Sequence, residues 1–270
     1  MIQTIQQRRE AILATAYQQG HVSVRQLAEQ LGVSQATVRR DLQGLATQGH
    51  LELTHGGARV ICNSDYSFLS KSLRNVEAKK TIAQMASELV ADADQVFLDS
   101  GTTCFQMTAF LRSKRSLSVI VNSIRTAQEL HTPGMNVLIV GGQYRPDRMD
   151  TVGPMAFESL DRLRGYTAFL GTDGISMDFG LTSVDIESAH LLSIAVRNAK
   201  ESVLLADSSK FDKPSLYKII DFNEISAIVT ERIPSPQWCE FFEKKNIKVI
   251  YPQDTSTSQQ DSTLNVSAQE

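Results

Sequence analysis

Seven short apolar runs, QVFLD, LSVIV, NVLIV, YTAFLG, SVLLAD, AIVT and IKVIY, recur along the C-terminal two thirds of this 270-residue chain. Their apolar residues are consecutive and not alternate, the pattern of strands buried on both faces. Before and between them lie helical stretches such as EAKKTIAQMASELV, FQMTAFLRS and ESAHLLSIAVRNAK. Strands separated by helices connect by crossovers instead of hairpins, so the expected fold class is α/β, with a mainly parallel sheet covered by helices. The length exceeds that of one ordinary domain and leaves room for a second.

That second domain is expected over residues 1–62. Ile5, Ile12 and Ala16 repeat at helical spacing, and Gly20 supplies a stop. Ser23 caps VRQLAEQL, where Val24, Leu27, Ala28 and Leu31 share one face. After the short break at Gly32 and Val33, Ser34 caps a third helix that points Val38, Leu42 and Leu45 inward. Thr37, Arg39, Arg40 and Gln43 fall on its opposite arc at ~100° per residue. HLELTHGGARVI then reads as a hairpin turning at His55, Gly56 and Gly57. Residues 63–73, NSDYSFLSKSL, are expected to be a linker and 74–252 the larger domain. The polar, aromatic-free stretch 253–270 is expected to be a disordered tail.

Charge divides the chain in the same place. The formal net charge is −3, yet residues 1–62 set six arginines against four carboxylates and leave −5 for the rest. A basic head on an acidic body suggests two parts with two partners. Two helices joined by a tight turn, the second anchored by an apolar face, form a helix-turn-helix. Ser34, Gln35, Thr37, Arg39 and Arg40 at the start of that second helix suit contact with base edges and phosphates. His55, Gly56 and Gly57 would form the tip of a wing along the backbone.

In an open α/β sheet, ligands bind beyond the carboxyl ends of the strands. Five loops there are rich in small, hydroxylated or charged residues: Asp99 to Phe105, Asn122 with Ser123, Gly141 with Gly142, Gly171 to Gly174, and Asp207 to Phe211. Any one loop is explained by turn chemistry; five converging on one sheet edge suggest a shared ligand site. Gly101, Thr102 and Thr103 lead directly into a helix, where backbone N–H groups and hydroxyls suit a phosphate. Lys210 stands where it could reach an anion, and Glu187 reads equally well as a carboxylate in a helix's first turn.

Other classes find little support. No apolar run approaches the ~20 residues of a membrane span, and MIQTIQQRRE lacks a basic segment followed by an apolar one, so export is not expected. Three cysteines far apart in sequence fit a reduced, cytoplasmic protein. Walker A, HExxH, GxSxG and paired CxxC patterns are all missing, so neither a metal nor another cofactor is expected.

The stretch from Arg8 to Val60 resembles the N-terminal winged helix of the DeoR family of bacterial transcriptional regulators. Arg9, VSVRQLAEQLGVS, TVRRDL from Thr37 to Leu42, and HGGA from His55 to Ala58 carry the likeness. It implies that Thr37, Arg39 and Arg40 belong to a recognition helix and that Asp41 is a structural or orienting residue. Leu53 departs from the family, which often has an arginine there. FLDSGTT, VNS, GG, FLGTDGI, GLTSVDIESA and LLADSSKF resemble, in order, that family's effector domain, from roughly Glu77 to Pro252. This domain is similar to ribose-5-phosphate isomerases. The resemblance implies that Ser100, Gly101, Thr102 and Thr103 hold a phosphate, and that Asp99, Asn122, Asp173, Glu187 and Lys210 contact or frame a sugar. The implied function is a cytoplasmic, homo-oligomeric repressor of a sugar-utilisation operon, released from double-stranded operator DNA by a phosphorylated sugar. The alternative is an isomerase on the same core, with Asp173 and Glu187 as acid and base.

Overall fold

The computed structural model describes residues 4–60, 68–146 and 148–253. The first part of the expected linker, 63–67, and the expected tail beyond Gln253 lie outside these residues. Helix α1 (Ile5–Gln19) opens on a reciprocal cap between Thr4 and Gln7 and closes at Gly20. Strand β1 (His21–Ser23) leads into α2 (Val24–Leu31), and α3 (Gln35–Thr47) follows the turn at Gly32. Ser23 and Ser34 each accept a hydrogen bond from the backbone N–H three residues on, as the capping pattern predicts. Strands β2 (Leu51–Thr54) and β3 (Gly57–Val60) form the hairpin, and β1 pairs with β3 to complete a three-stranded sheet. Ile12, Leu27, Val38, Leu42 and Leu45 fill the core between these elements. Ile5, expected on the inner face of α1, is exposed; it begins the helix, two turns ahead of Ile12.

The part of the expected linker that the structure describes is not extended. Phe68–Ser72 is a short helix, α4, which precedes α5 (Val76–Glu88). Its five residues are too few to show a helical repeat, which is why the sequence reads as linker.

The larger domain alternates as expected. Strand β4 (Gln95–Leu98) is followed by α6 (Thr102–Gln106) and α7 (Thr108–Leu111), then β5 (Ser118–Val121), α8 (Ile124–Glu129) and β6 (Asn136–Ile139). A small antiparallel pair, β7 (Gln143–Arg145) and β8 (Asp150–Val152), precedes α9 (Pro154–Asp161) and β9 (Thr167–Leu170). Next come β10 (Gly174–Ser176), β11 (Gly180–Ser183), α10 (Ile186–Asn198) and β12 (Glu201–Leu205). Last among the described elements come β13 (Tyr217–Ile220), β14 (Ala227–Val229), α11 (Pro236–Lys244) and β15 (Lys248–Ile250). The seven apolar runs become one parallel sheet of order β15-β14-β12-β9-β4-β5-β6. Val96, Leu98, Phe169 and Leu205 face one core with Ile82 and Ala86 of α5. Phe97, Ala168, Leu170 and Leu204 face the other with Leu160, Leu191 and Trp238. Burial on both faces holds for the central strands but not for NVLIV: β6 ends the sheet and leaves Leu138 and Ile139 exposed. A second sheet, β10-β11-β13, is antiparallel and was not apparent in the apolar pattern.

Asp41 joins the two outer helices of the N-terminal domain. Buried on α3, it accepts from Arg8 Nε at 2.6 Å and from Arg9 Nε at 3.3 Å. Removing it leaves two part-buried guanidinium groups without their shared carboxylate, so Asp41→Ala is expected to cost about 2–3 kcal/mol. Arg39→Ala, at an exposed site, should stay within about 0.5 kcal/mol of wild type. Urea unfolding of both variants checks the contrast.

Candidate functional site

The exposed side of α3 is built by its cap. Ser34 Oγ accepts from Thr37 N–H at 3.2 Å and lies 2.9 Å from Thr37 Oγ1, so these hydroxyls order the first turn. Gln35, Arg39 and Arg40 stand exposed beside them, and no ion-pair partner for either arginine occurs among the described residues. At the hairpin tip His55 and Gly56 are exposed. Gly57 has a different duty: a Cβ there would lie 2.0 Å from the Val22 carbonyl oxygen, so only glycine lets β3 pair with β1. Arg59 is tied across the hairpin to Glu52 at 2.8 Å.

At the carboxyl edge of the large sheet lies a cavity of about 350 Å³. The β4 loop lines it with Asp99, Ser100, Gly101, Thr102 and Thr103, the β9 loop with Asp173, and the β12 loop with Asp207 and Lys210. Gly101 opens α6 without a side-chain cap. Two of the five expected loops do not reach the cavity lining. Asn122 is buried, where its amide donates to the Thr151 carbonyl at 3.2 Å and joins β5 to β8. Gly142 packs where a Cβ would meet the Val152 carbonyl oxygen at 2.6 Å. Glu187 also stands outside the lining, half-exposed and 3.7 Å from Arg145.

Residues that the sequence reading missed supply much of the charge. Lys71 of α4, Arg74 and Asn75 beyond it, Lys79 of α5, and Arg148 and Asp150 all line the cavity. Lys79 was detectable in principle, because it falls in phase with Ile82, Ala83 and Ala86 on the buried face of α5. Arg148 lies in a loop with no periodicity to expose it.

The electrostatics follow from burial and pairing. Burial pushes the Asp99 carboxyl up, against N–H bonds from Gly171 and Gly101, and nearby Asp173 and Asp150 push the same way. Asp173 is pulled below the carboxylate range: burial opposes ionisation, but Lys71, whose ammonium donates to Oδ1 at 2.5 Å, overcomes it together with the Val184 N–H. Burial lowers Lys210, with Asp207 and Asp173 opposing. Behind the cavity Arg145 grips both oxygens of Asp150 at 2.8 Å and reaches Asp185 at 2.9 Å. Asp185 falls to about 2, burial being overcome by Arg145 and the Ser188 N–H. Ser100 Oγ joins this network through Asp150 at 3.3 Å. A cavity so furnished can hold an anion against cations and accept hydrogen bonds from hydroxyl groups.

Comparison with known proteins matches both halves of the chain. Residues 8–64 match the DeoR-like helix-turn-helix domain, and residues 74–232 match the DeoR C terminal sensor domain. The HTH-type transcriptional regulator GlpR of Haloferax volcanii is 31% identical over 84% of this chain and 90% of its own. The lactose phosphotransferase system repressor of Lactococcus lactis is 31% identical over 87% and 94%. Among solved structures, ribose 5-phosphate isomerase A of Methanocaldococcus jannaschii aligns at 20% identity over 51% of this chain and 55% of its own, with a TM-score of 0.38. The eIF2B delta subunit of Chaetomium thermophilum aligns at 19% identity over 62% and 63%, with a TM-score of 0.44.

Burial holds the Lys79 ammonium at about 8, against an ordinary 10.5. Between those values the unfolded chain keeps a proton that the folded chain has lost, so this group makes stability rise with pH. Its penalty is fully present below the folded value and is relieved as pH climbs through the window. Wild type should therefore gain stability relative to Lys79→Met as pH is raised from 8 towards 10.5. Denaturant midpoints measured across that range give the slope, and a constant difference would refute the account.

Proposed function

Since this chain belongs to the DeoR family of transcriptional regulators, we propose that it represses a carbohydrate-utilisation operon and leaves its operator when a phosphorylated sugar fills the cavity. The observation that carries the effector reading is the cavity itself, where the uncapped start of α6 meets Lys71, Lys79, Arg148 and Lys210. Ser100, Gly101, Thr102 and Thr103 take the phosphate, and Asp99, Asp173 and Lys210 meet the sugar. Asn122 acts from beneath, by holding β5 against β8. Ser34, Gln35, Thr37, Arg39 and Arg40 enter the DNA groove, with His55 and Gly56 on the backbone. Gly57 keeps the wing closed.

In this reading the protein is a cytoplasmic homo-oligomer that matches paired recognition helices to paired half-sites. Among the described residues no helix is long and apolar enough to cross a membrane. The isomerase reading needs Asp173 and Glu187 to face one substrate, and Glu187 stands outside the cavity lining. The relatives named above are transcriptional regulators, and a fused DNA-binding domain serves sensing better than turnover.

A thermal-shift panel of sugar phosphates beside their free sugars tests the effector class. A ligand at ~100 times its dissociation constant adds ~2.7 kcal/mol; equal stabilisation by the free sugar would overturn the phosphate assignment. On DNA selected from random sequence by the wild-type protein, Arg39→Ala or Arg40→Ala should either lower the salt slope by ~1 or relax specificity at one position. Undiminished binding by the double variant at fixed salt would remove the recognition helix from the account. Thr102→Val and Lys210→Ala should hold the same DNA yet require more effector for release.

A further inference from the structure

One short helix belongs to both halves of the molecule. Lys71 of α4 reaches into the cavity and donates to Asp173 Oδ1 at 2.5 Å. Leu73, just beyond α4, packs against the core of the N-terminal domain, and α4 itself lies against α1. The helix is fastened on its other side as well. Phe68 stands edge-on to Phe105 at 5.2 Å, with the Arg125 guanidinium 4.4 Å over its ring. Lys79 donates to the carbonyls of both Lys71 and Arg74.

The two members of the Lys71–Asp173 pair depend on it unequally. Asp173 keeps hydrogen bonds from the Val184 N–H at 2.9 Å and the Ser183 hydroxyl at 3.4 Å, and Lys210 also acts on it. Among the described residues Asp173 is the only acceptor for the Lys71 ammonium. An anion entering the cavity therefore meets a carboxylate that repels it and an ammonium with N–H groups to offer. A phosphate ester carries about −1.5 to −2 near neutral pH, so at equal distance it attracts that ammonium more strongly than a single carboxylate does.

We propose that Lys71 is the residue through which the cavity reports its occupancy: an anionic ligand draws the ammonium away from Asp173, and α4 carries the displacement to Leu73 and α1. This rests on the reading of the cavity as an anion site. A neutral ligand gives Lys71 no reason to leave its partner, so discrimination by charge and release of DNA become one event. A ligand shifts an equilibrium only by its differential affinity for the two states, and exchange of the Lys71 partner supplies that difference.

The test uses the full-length chain with inorganic phosphate as the probe, so that lost contacts to a sugar cannot confuse the result. Calorimetric titration of wild type, Asp173→Asn, Lys71→Met and the double variant forms a cycle. Freeing Lys71 by Asp173→Asn should tighten phosphate binding by roughly tenfold, and by less than about threefold when Lys71 is already methionine. Asp173→Ser, which also leaves an acceptor for Val184, repeats the cycle independently. Hydrogen exchange at saturating phosphate should change over residues 68–73 and α1 in wild type and in Lys71→Arg, and stay unchanged in Lys71→Met. Equal tightening in both backgrounds, or an exchange response in Lys71→Met, overturns the proposal and leaves the anion site standing. If wild type binds no phosphate, the anion site fails and the proposal fails with it.

Discussion

Parallel pairing forces the seven main strands to run one way, so every strand ends at the same edge of the sheet. The crossovers that permit this place helices over both faces and drive the strands towards unbroken apolar sequence. Polar residues are thereby excluded from the strand interiors and gathered at the turns that follow them. Asp99 after β4, Asp173 after β9 and Lys210 after β12 come to line one cavity although they are far apart in the chain. The large cores of Phe97, Phe169, Trp238 and their neighbours hold that edge rigid. A site built on such turns inherits its geometry from the sheet, and each loop needs little stability of its own.

The N-terminal domain adds ion pairing to its apolar core, and its arginines are divided between two settings. Two Arg-Arg pairs illustrate the division. Arg8 and Arg9 converge on buried Asp41, fixing α1 to α3. Arg39 and Arg40 lie on the same helix as Asp41 but on its outer side, with no internal partner among the described residues. The 100° step per residue of a helix separates these duties: Asp41 shares the inner face with Val38, Leu42 and Leu45, and its arginine neighbours cannot. Composition counts the four arginines alike, whereas the fold ties one pair to Asp41 and leaves the other exposed.

Legibility in the sequence tracked periodicity. The seven apolar runs and the inward face of α3 were readable because burial selects apolar residues in a strand or at helical spacing, and the caps at Ser23 and Ser34 because their hydroxyls are suited to a helix start. The sheet β10-β11-β13 was not, since GIS, GLTS and YKII mix Gly, Ser, Thr and Lys with their apolar residues and form no apolar run. For the cavity, sequence identified loops but not the directions of their side chains. Asn122 and Glu187 sit at the expected sheet edge, yet one turns beneath the cavity wall and the other turns towards Arg145. Lys71 and Arg148 were missed for the opposite reason: they reach the cavity from a short helix and an irregular loop, where no repeat marks a residue as inward.

The mixture of charges in the cavity carries a consequence for selectivity. A site lined by cations alone would strain the empty protein, because buried like charges repel and desolvation weakens each of them. Here the cations are interleaved with carboxylates: Lys71 stands against Asp173 and Lys210 near Asp207 and Asp173, while Asp150 in the lining is held from behind by Arg145. That interleaving lets the fold stand without a ligand while keeping positive charge in reserve. It also sets a threshold, since any anion must outcompete a carboxylate already in place. In the proposed reading, a singly charged metabolite falls short of that threshold and a phosphate ester passes it. In that same reading, the carboxylates that oppose the anion also accept hydrogen bonds from hydroxyl groups, so a phosphate that carries a sugar gains contacts that phosphate alone does not.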